Sequence, residues 1–139
     1  IKHNMNHWIF VGIAAPDRGE ALWKYWDGPE APVVGPAMRA VTESFGVTLD
    51  EMRSQNRSRR IVEARHAWCW FMDKYSNLTR KEVGHVLNRD HSSISHAVKS
   101  MRDLLEVDRP MQRKVEYAEG LFFAITQAAS SSRAENAAA

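Results

Sequence analysis

From Pro36 onward, apolar residues recur at intervals of three and four, the spacing that lines one face of an α-helix. Proline suits a first helical turn, Met38, Val41 and Phe45 keep a common face, and Gly46 is placed to end it. Thr48 opens a short second helix, with Glu51 three positions on to complete a capping box. The hydrophobic period then breaks over residues 53–60, RSQNRSRR, which reads as a basic loop. A long helix is predicted from Ile61 to about Tyr75, with Ile61, Ala64, Trp68, Phe71, Met72 and Tyr75 along one side.

A second capping box, Thr79 with Glu82, starts a short helix through Leu87, whose Val83, Val86 and Leu87 face inward. Asn88 and Arg89 form a tight turn, and Asp90 is a good N-cap for the next helix. There Ile94, Ala97, Val98, Met101, Leu104 and Leu105 make an uninterrupted i, i+3, i+4, i+7 series. A last helix is expected from about Pro110 to Ala128, on a face of Met111, Val115, Ala118, Leu121, Phe122 and Ile125. The fold class is therefore all-α. A short helix, a tight turn and a longer amphipathic helix at its centre follow helix-turn-helix grammar, with the unit at about 79–105. Spacing alone does not separate this from an ordinary pair of short helices.

Residues 1–35 hold Trp8, Trp23 and Trp26 among Pro16, Gly28, Pro29 and Pro32. They read as irregular, with one short strand at Trp8–Ile13 and a helical turn at Ala21–Trp26. The organisation is then an N-terminal segment (1–35) of undefined role, a helical domain (36–128) and a disordered tail (129–139) with nothing to pack. No internal repeat is present.

Net charge is +2, but its distribution is uneven. Residues 53–102 carry eleven Lys/Arg against four Asp/Glu, between flanks that are both net acidic. A basic middle of this kind is either the footprint of a polyanion or a solvated face. No apolar run approaches ~18 residues, so no membrane span is expected. One cysteine, Cys69, leaves no internal disulfide and points to a reducing, cytoplasmic setting. Cys69 lies between Trp68 and Trp70 on an apolar helix and reads as core. The six histidines do not combine with carboxylates or cysteines at metal-ligand spacings, and no Walker-type loop occurs. No cofactor and no enzymatic activity are expected.

The predicted helix after Asp90 exposes His91, Ser92, Ser93, Ser95, Lys99 and Arg102. Short hydroxyl side chains let a helix approach a major groove, and its free N–H groups attract phosphate. The same face also suits plain solvation with a capped end. The basic loop holds Arg53, Arg57, Arg59 and Arg60, and Arg65 follows in the helix. Arginine is favoured for phosphate forks and for narrow minor grooves, and the loop could equally be solubilising.

Three stretches sharpen this picture: VTESFGVTLDEMRSQNRSRRIVEARH, LTRKEVGHVL and RDHSSISHAVKSM, within residues 41–105. Their order and spacing resemble the C-terminal DNA-binding domain (domain IV) of the bacterial replication initiator DnaA. That family has an arginine-rich loop, a long helix and the motif RDHTT opening its recognition helix. Here the motif is RDHSS, Arg89–Ser93. The resemblance implies a Trp-repressor-like helix-turn-helix bundle in which Asp90, His91 and Ser92 read bases in the major groove. It implies Arg57 in the adjacent minor groove and Arg65, Thr79, Arg80, Lys81 and Ser93 on phosphates. With Arg59 and Arg60 of the loop and Arg89 of the motif, these form the expected DNA-binding set.

Three departures matter. The turn Leu87-Asn88-Arg89 is one residue shorter than the family's Gly-Gly turn, both threonines of the motif are serines, and the ATPase module that precedes the domain does not occur in these residues. The expected partner is double-stranded DNA at a DnaA-box-like site, and the expected role is that of a regulator or accessory replication factor of a chromosome, phage or mobile element. The competing reading is a protein-interaction or self-association module on a drifted fold, docking through the Trp-rich N-terminus. RNA binding is a third.

Overall fold

The structure is a computed structural model describing the backbone of residues 31–138 and the side chains of 32–129. The strand expected at Trp8–Ile13 and the helical turn at Ala21–Trp26 lie outside the described residues. Those that are described form six helices and no strand: α1 (Ala31–Phe45), α2 (Leu49–Arg53), α3 (Arg59–Tyr75), α4 (Arg80–Leu87), α5 (His91–Val107) and α6 (Arg109–Ala138).

Helix α3 is the axis of the fold. It packs against α1 on one side and α5 on the other, α6 lies along α1, and α4 packs on α5. Trp68, Phe71, Ile61 and Met72 of α3 are almost wholly buried with Met38 of α1, Met52 of α2 and Ile94 and Met101 of α5. Each such side chain stabilises the fold by roughly 1.5–3 kcal/mol relative to exposure. Leu104 and Leu105, expected in the core, are only partly buried at its edge. Among the described residues, no helix is long and apolar enough to cross a membrane.

Three boundaries differ from the sequence reading. Helix α1 begins at Ala31 rather than Pro36, which lies inside it. Pro36 lacks the N–H that would complete the helical bond, a loss usually of ~3 kcal/mol in a helix interior. The turn before it is nevertheless anchored, because Val34 is fully buried and shares a face with Met38 and Val41. Helix α3 begins at Arg59, so Arg59 and Arg60 belong to its first turn rather than to the loop. Helix α6 continues through 129–138, where a disordered tail was expected.

Local signals set the other ends. Gly46, at φ 66°, closes α1 with Val47 N–H donating to the Thr42 carbonyl at 3.0 Å. Thr48 and Glu51 form the expected capping box at α2. Asp108 ends α5, and its carboxylate accepts from Met111 N–H at 2.9 Å to start α6.

Candidate nucleic-acid interface

The helix-turn-helix is α4, a three-residue turn and α5. Thr79 Oγ1 accepts from Glu82 N–H at 3.2 Å, and Glu82 Oε1 accepts from Thr79 N–H at 2.9 Å. At the far end Asn88 takes the left-handed conformation (φ 60°, ψ 47°), and Arg89 N–H donates to the Gly84 carbonyl at 2.8 Å. A Cβ on Gly84 would lie 2.3 Å from the Arg89 oxygen, so the shorter turn closes directly over a glycine. Asp90 then caps α5, its Oδ1 accepting from Ser93 N–H at 2.8 Å. That bond is the main reason its carboxyl is held below the ordinary range. His91, Ser92, Ser93 and Ser95 are exposed on the opening turns of α5, while Ile94 turns into the core.

The second part is the arm between α2 and α3, residues 54–58. Ser54 Oγ donates to the Glu51 carbonyl at 2.8 Å and accepts from Asn56 N–H at 3.2 Å, and Ser58 N–H donates to Asn56 Oδ1 at 2.8 Å. These short-range bonds order the arm and leave Arg57 exposed near its end, with no hydrogen bond or ion pair among the described residues. Between arm and recognition helix runs a groove of about 500 Å³. Arg57, Arg65, Arg89, His66 and His96 line it together with Ser92 and Ser93, and among the described residues no aspartate or glutamate does.

The structure divides the expected set into groups. Arg57, Lys81, His91 and Ser92 are exposed. Arg59 is exposed and pairs with Glu63 at 3.1 Å, and Arg60 reaches the Gly46 carbonyl and Glu51. Arg80 pairs with Asp73 at 3.0 Å. Asp73 also holds Arg102 at 3.5 Å, joining the ends of α3 and α4 to the recognition helix. Arg65, expected on a phosphate, has another place. It is 7% exposed, and its Nε donates to the Met52 carbonyl at 2.8 Å while Nη2 donates to the carbonyls of Ser54 (2.7 Å) and Glu51 (3.1 Å). It thereby satisfies the open carbonyl end of α2. Burial, then repulsion from Arg89, lowers its pKa. Arg89 also turns inward, its Nη2 donating to the Ser54 carbonyl.

His66, His96 and Gln55 belong to this groove and were missed in the sequence. Gln55 neighbours the loop arginines and could have been noticed. The histidines, on different helices, meet edge to face at 6.0 Å, and periodicity gives no sign of that. Burial is the first cause holding the His66 imidazole below its ordinary value, followed by His96 and Arg65. Cys69, under the same groove, has its thiol pushed up to about 12 by burial, so it is protonated at neutral pH.

A capped short helix, a closed turn, a recognition helix and an arginine-bearing arm before them are thus present in one unit. Residues 37–101 match the family of the bacterial DnaA protein helix-turn-helix. The chromosomal replication initiator protein DnaA of Bacteroides thetaiotaomicron is 26% identical over 93 residues, 66% of this chain and 20% of that protein. That of Flavobacterium psychrophilum is 27% identical over 79 residues, covering 56% and 16%. That of Ureaplasma parvum serovar 3 is 31% identical over 67 residues, covering 48% and 15%. The chain spans about a fifth or less of the length of these curated relatives. The DnaA match embraces α1 from its second turn, the arm and the helix-turn-helix up to Met101, and α6 lies outside it.

Proposed function

We propose that this chain binds double-stranded DNA with sequence preference, at a site similar to a DnaA box. The opening of α5 lies in the major groove, where Asp90, His91 and Ser92 meet base edges. Arg57 enters the adjacent minor groove. Thr79, Lys81 and Ser93 take phosphates, Arg80 does so on leaving its pair with Asp73, and Arg59 and Arg60 lie beside the arm. The biological role that fits is regulation or assistance of replication or transcription.

The observation that carries this reading is the groove: three arginines and two histidines between an exposed arm and an exposed helix start, with no lining carboxylate among the described residues. Such charge suits the dense, regular anion of a duplex backbone. The test is fluorescence anisotropy with labelled duplexes containing a DnaA box or its scrambled sequence, over a salt series. With about five phosphates neutralised, the log–log slope should be about −4 to −5, a loss of several hundredfold between roughly 50 and 200 mM salt. A flat response, or equal affinity for both duplexes, rejects the reading in whole or in its sequence preference.

A further inference from the structure

Arg89 belongs to the motif that resembles the family's base-reading stretch, yet its guanidinium faces the protein. Nη2 donates to the Ser54 carbonyl, and Nη1 to the carbonyls of Asn88 (3.2 Å) and Leu87 (3.4 Å). The same Ser54 carbonyl accepts from Arg65 Nη2 at 2.7 Å. Close by, Arg53 Nε donates to the Val86 carbonyl at 2.8 Å. Three arginines therefore stitch the root of the arm to the end of α4, the turn and the floor of α3. Ser54 is where the arm begins, and Arg89 is the last residue but one before α5.

We propose that Arg89 is a positioning residue: by gripping the Ser54 carbonyl it fixes the arm bearing Arg57 at a set distance from the start of the recognition helix, so that minor-groove and major-groove contacts form as one unit. This rests on the DNA-binding reading. A guanidinium suits the role because its planar fork bonds carbonyls on two segments at once, whereas an ammonium is a point donor on a flexible stem. Fixing the arm beforehand removes ordering from the binding step, so Arg57 contributes more when Arg89 is in place.

The experiment combines Arg89→Lys, Arg57→Ala and the double variant. Lysine keeps the charge and loses the fork. Without DNA, hydrogen exchange should accelerate severalfold at the amides of Asn56 and Ser58, while amides of α3 and α5 stay protected. With DNA, Arg57→Ala should cost less in the Arg89→Lys background than in the wild type, by about threefold to tenfold on the preferred duplex. In Arg89→Lys the salt slope should hold, because the charge is kept. Asn56→Gly, which loosens the arm without touching Arg89, should reproduce the loss of coupling and stands in should Arg89→Lys fail to melt cooperatively. Additive effects of Arg57→Ala and Arg89→Lys, or unchanged exchange in the arm, overturn the proposal. A salt slope reduced by about 1 in Arg89→Ala would instead make Arg89 a direct phosphate contact. Should the wild type bind no duplex, the DNA reading fails, and the exchange measurement still decides whether Arg89 holds the arm.

Discussion

Gly84→Ala is the sharpest probe of the turn between α4 and α5. The added Cβ would lie 2.3 Å from the Arg89 carbonyl oxygen and 3.2 Å from its carbon, against an ordinary contact that begins at 3.4 Å. Both are backbone atoms, so no side chain can swing away. The turn must open by about an ångström, and the 2.8 Å bond from Arg89 N–H to the Gly84 carbonyl is lost with it. Overpacking costs about 1–3 kcal/mol and the bond about 1, while alanine regains about 1 through helix propensity. The net is about 1–3 kcal/mol of destabilisation, or a melting temperature lower by about 5–20 °C for a domain of this size. Gly120→Ala is the control. Gly120 is exposed in α6 with nothing within 4 Å of the added carbon, so there the propensity gain should appear alone. Thermal melts of the three proteins by circular dichroism decide the matter. A Gly84→Ala protein melting with, or above, the wild type would show that the turn does not close over Gly84.

Two further outcomes follow from the same geometry. If the exposed Lys81 of α4 meets a phosphate, as proposed, Lys81→Ala should weaken binding to preferred and scrambled duplexes alike and reduce the salt slope by about 1; anisotropy titrations that show a sequence-dependent loss would contradict it. His66 is held below its ordinary 6.5 in the folded chain, chiefly by burial, so the unfolded chain takes up the proton first as pH falls. Its contribution is complete above about pH 6.5 and shrinks as pH drops through the window beneath, down to the lowered folded value. Urea titrations from about pH 7.5 to about pH 5.5 should therefore show falling stability that His66→Gln flattens, and an equal slope in the variant would remove His66 as the cause.

What could be read from the sequence was local. Both capping boxes, the Asp90 cap and the Gly46 stop depend on residues within five positions of one another, and each forms as expected. The start of α1 was hidden because Pro36 is a reliable helix-opening signal only when nothing upstream is buried, and Val34 is. The arginines show the deeper difficulty. Arg57 and Arg65 lie eight positions apart in one basic stretch, and composition treats them alike. One is exposed at the arm, and the other is buried under it, holding the carbonyl end of α2. The deciding fact is where the chain turns between them, which no periodicity records. The His66–His96 contact was illegible for the same reason, since it exists only once α3 and α5 are packed.

The acidic residues explain why the groove keeps its charge. Glu51 accepts from Thr48 N–H and faces Arg60, Glu63 pairs with Arg59, Asp73 holds Arg80 and Arg102, Glu82 closes the α4 cap, and Asp90 closes the α5 cap. Each is engaged at a helix end or on an outer face, and none lines the groove. Arg65 and Arg89 meet on one neutral carbonyl, which takes a donor from each and leaves their charges unbalanced. Like charges held together in this way oppose folding of the free protein, and the fold carries that cost through the carbonyls they cap. An anion in the groove would offset that repulsion. Whatever binds the folded chain and not the unfolded one stabilises it in proportion to its affinity. Arg65 and Arg89 would thus link the stability of the helix-turn-helix to any anion that occupied its groove, and a carboxylate substituted there should strengthen the free fold.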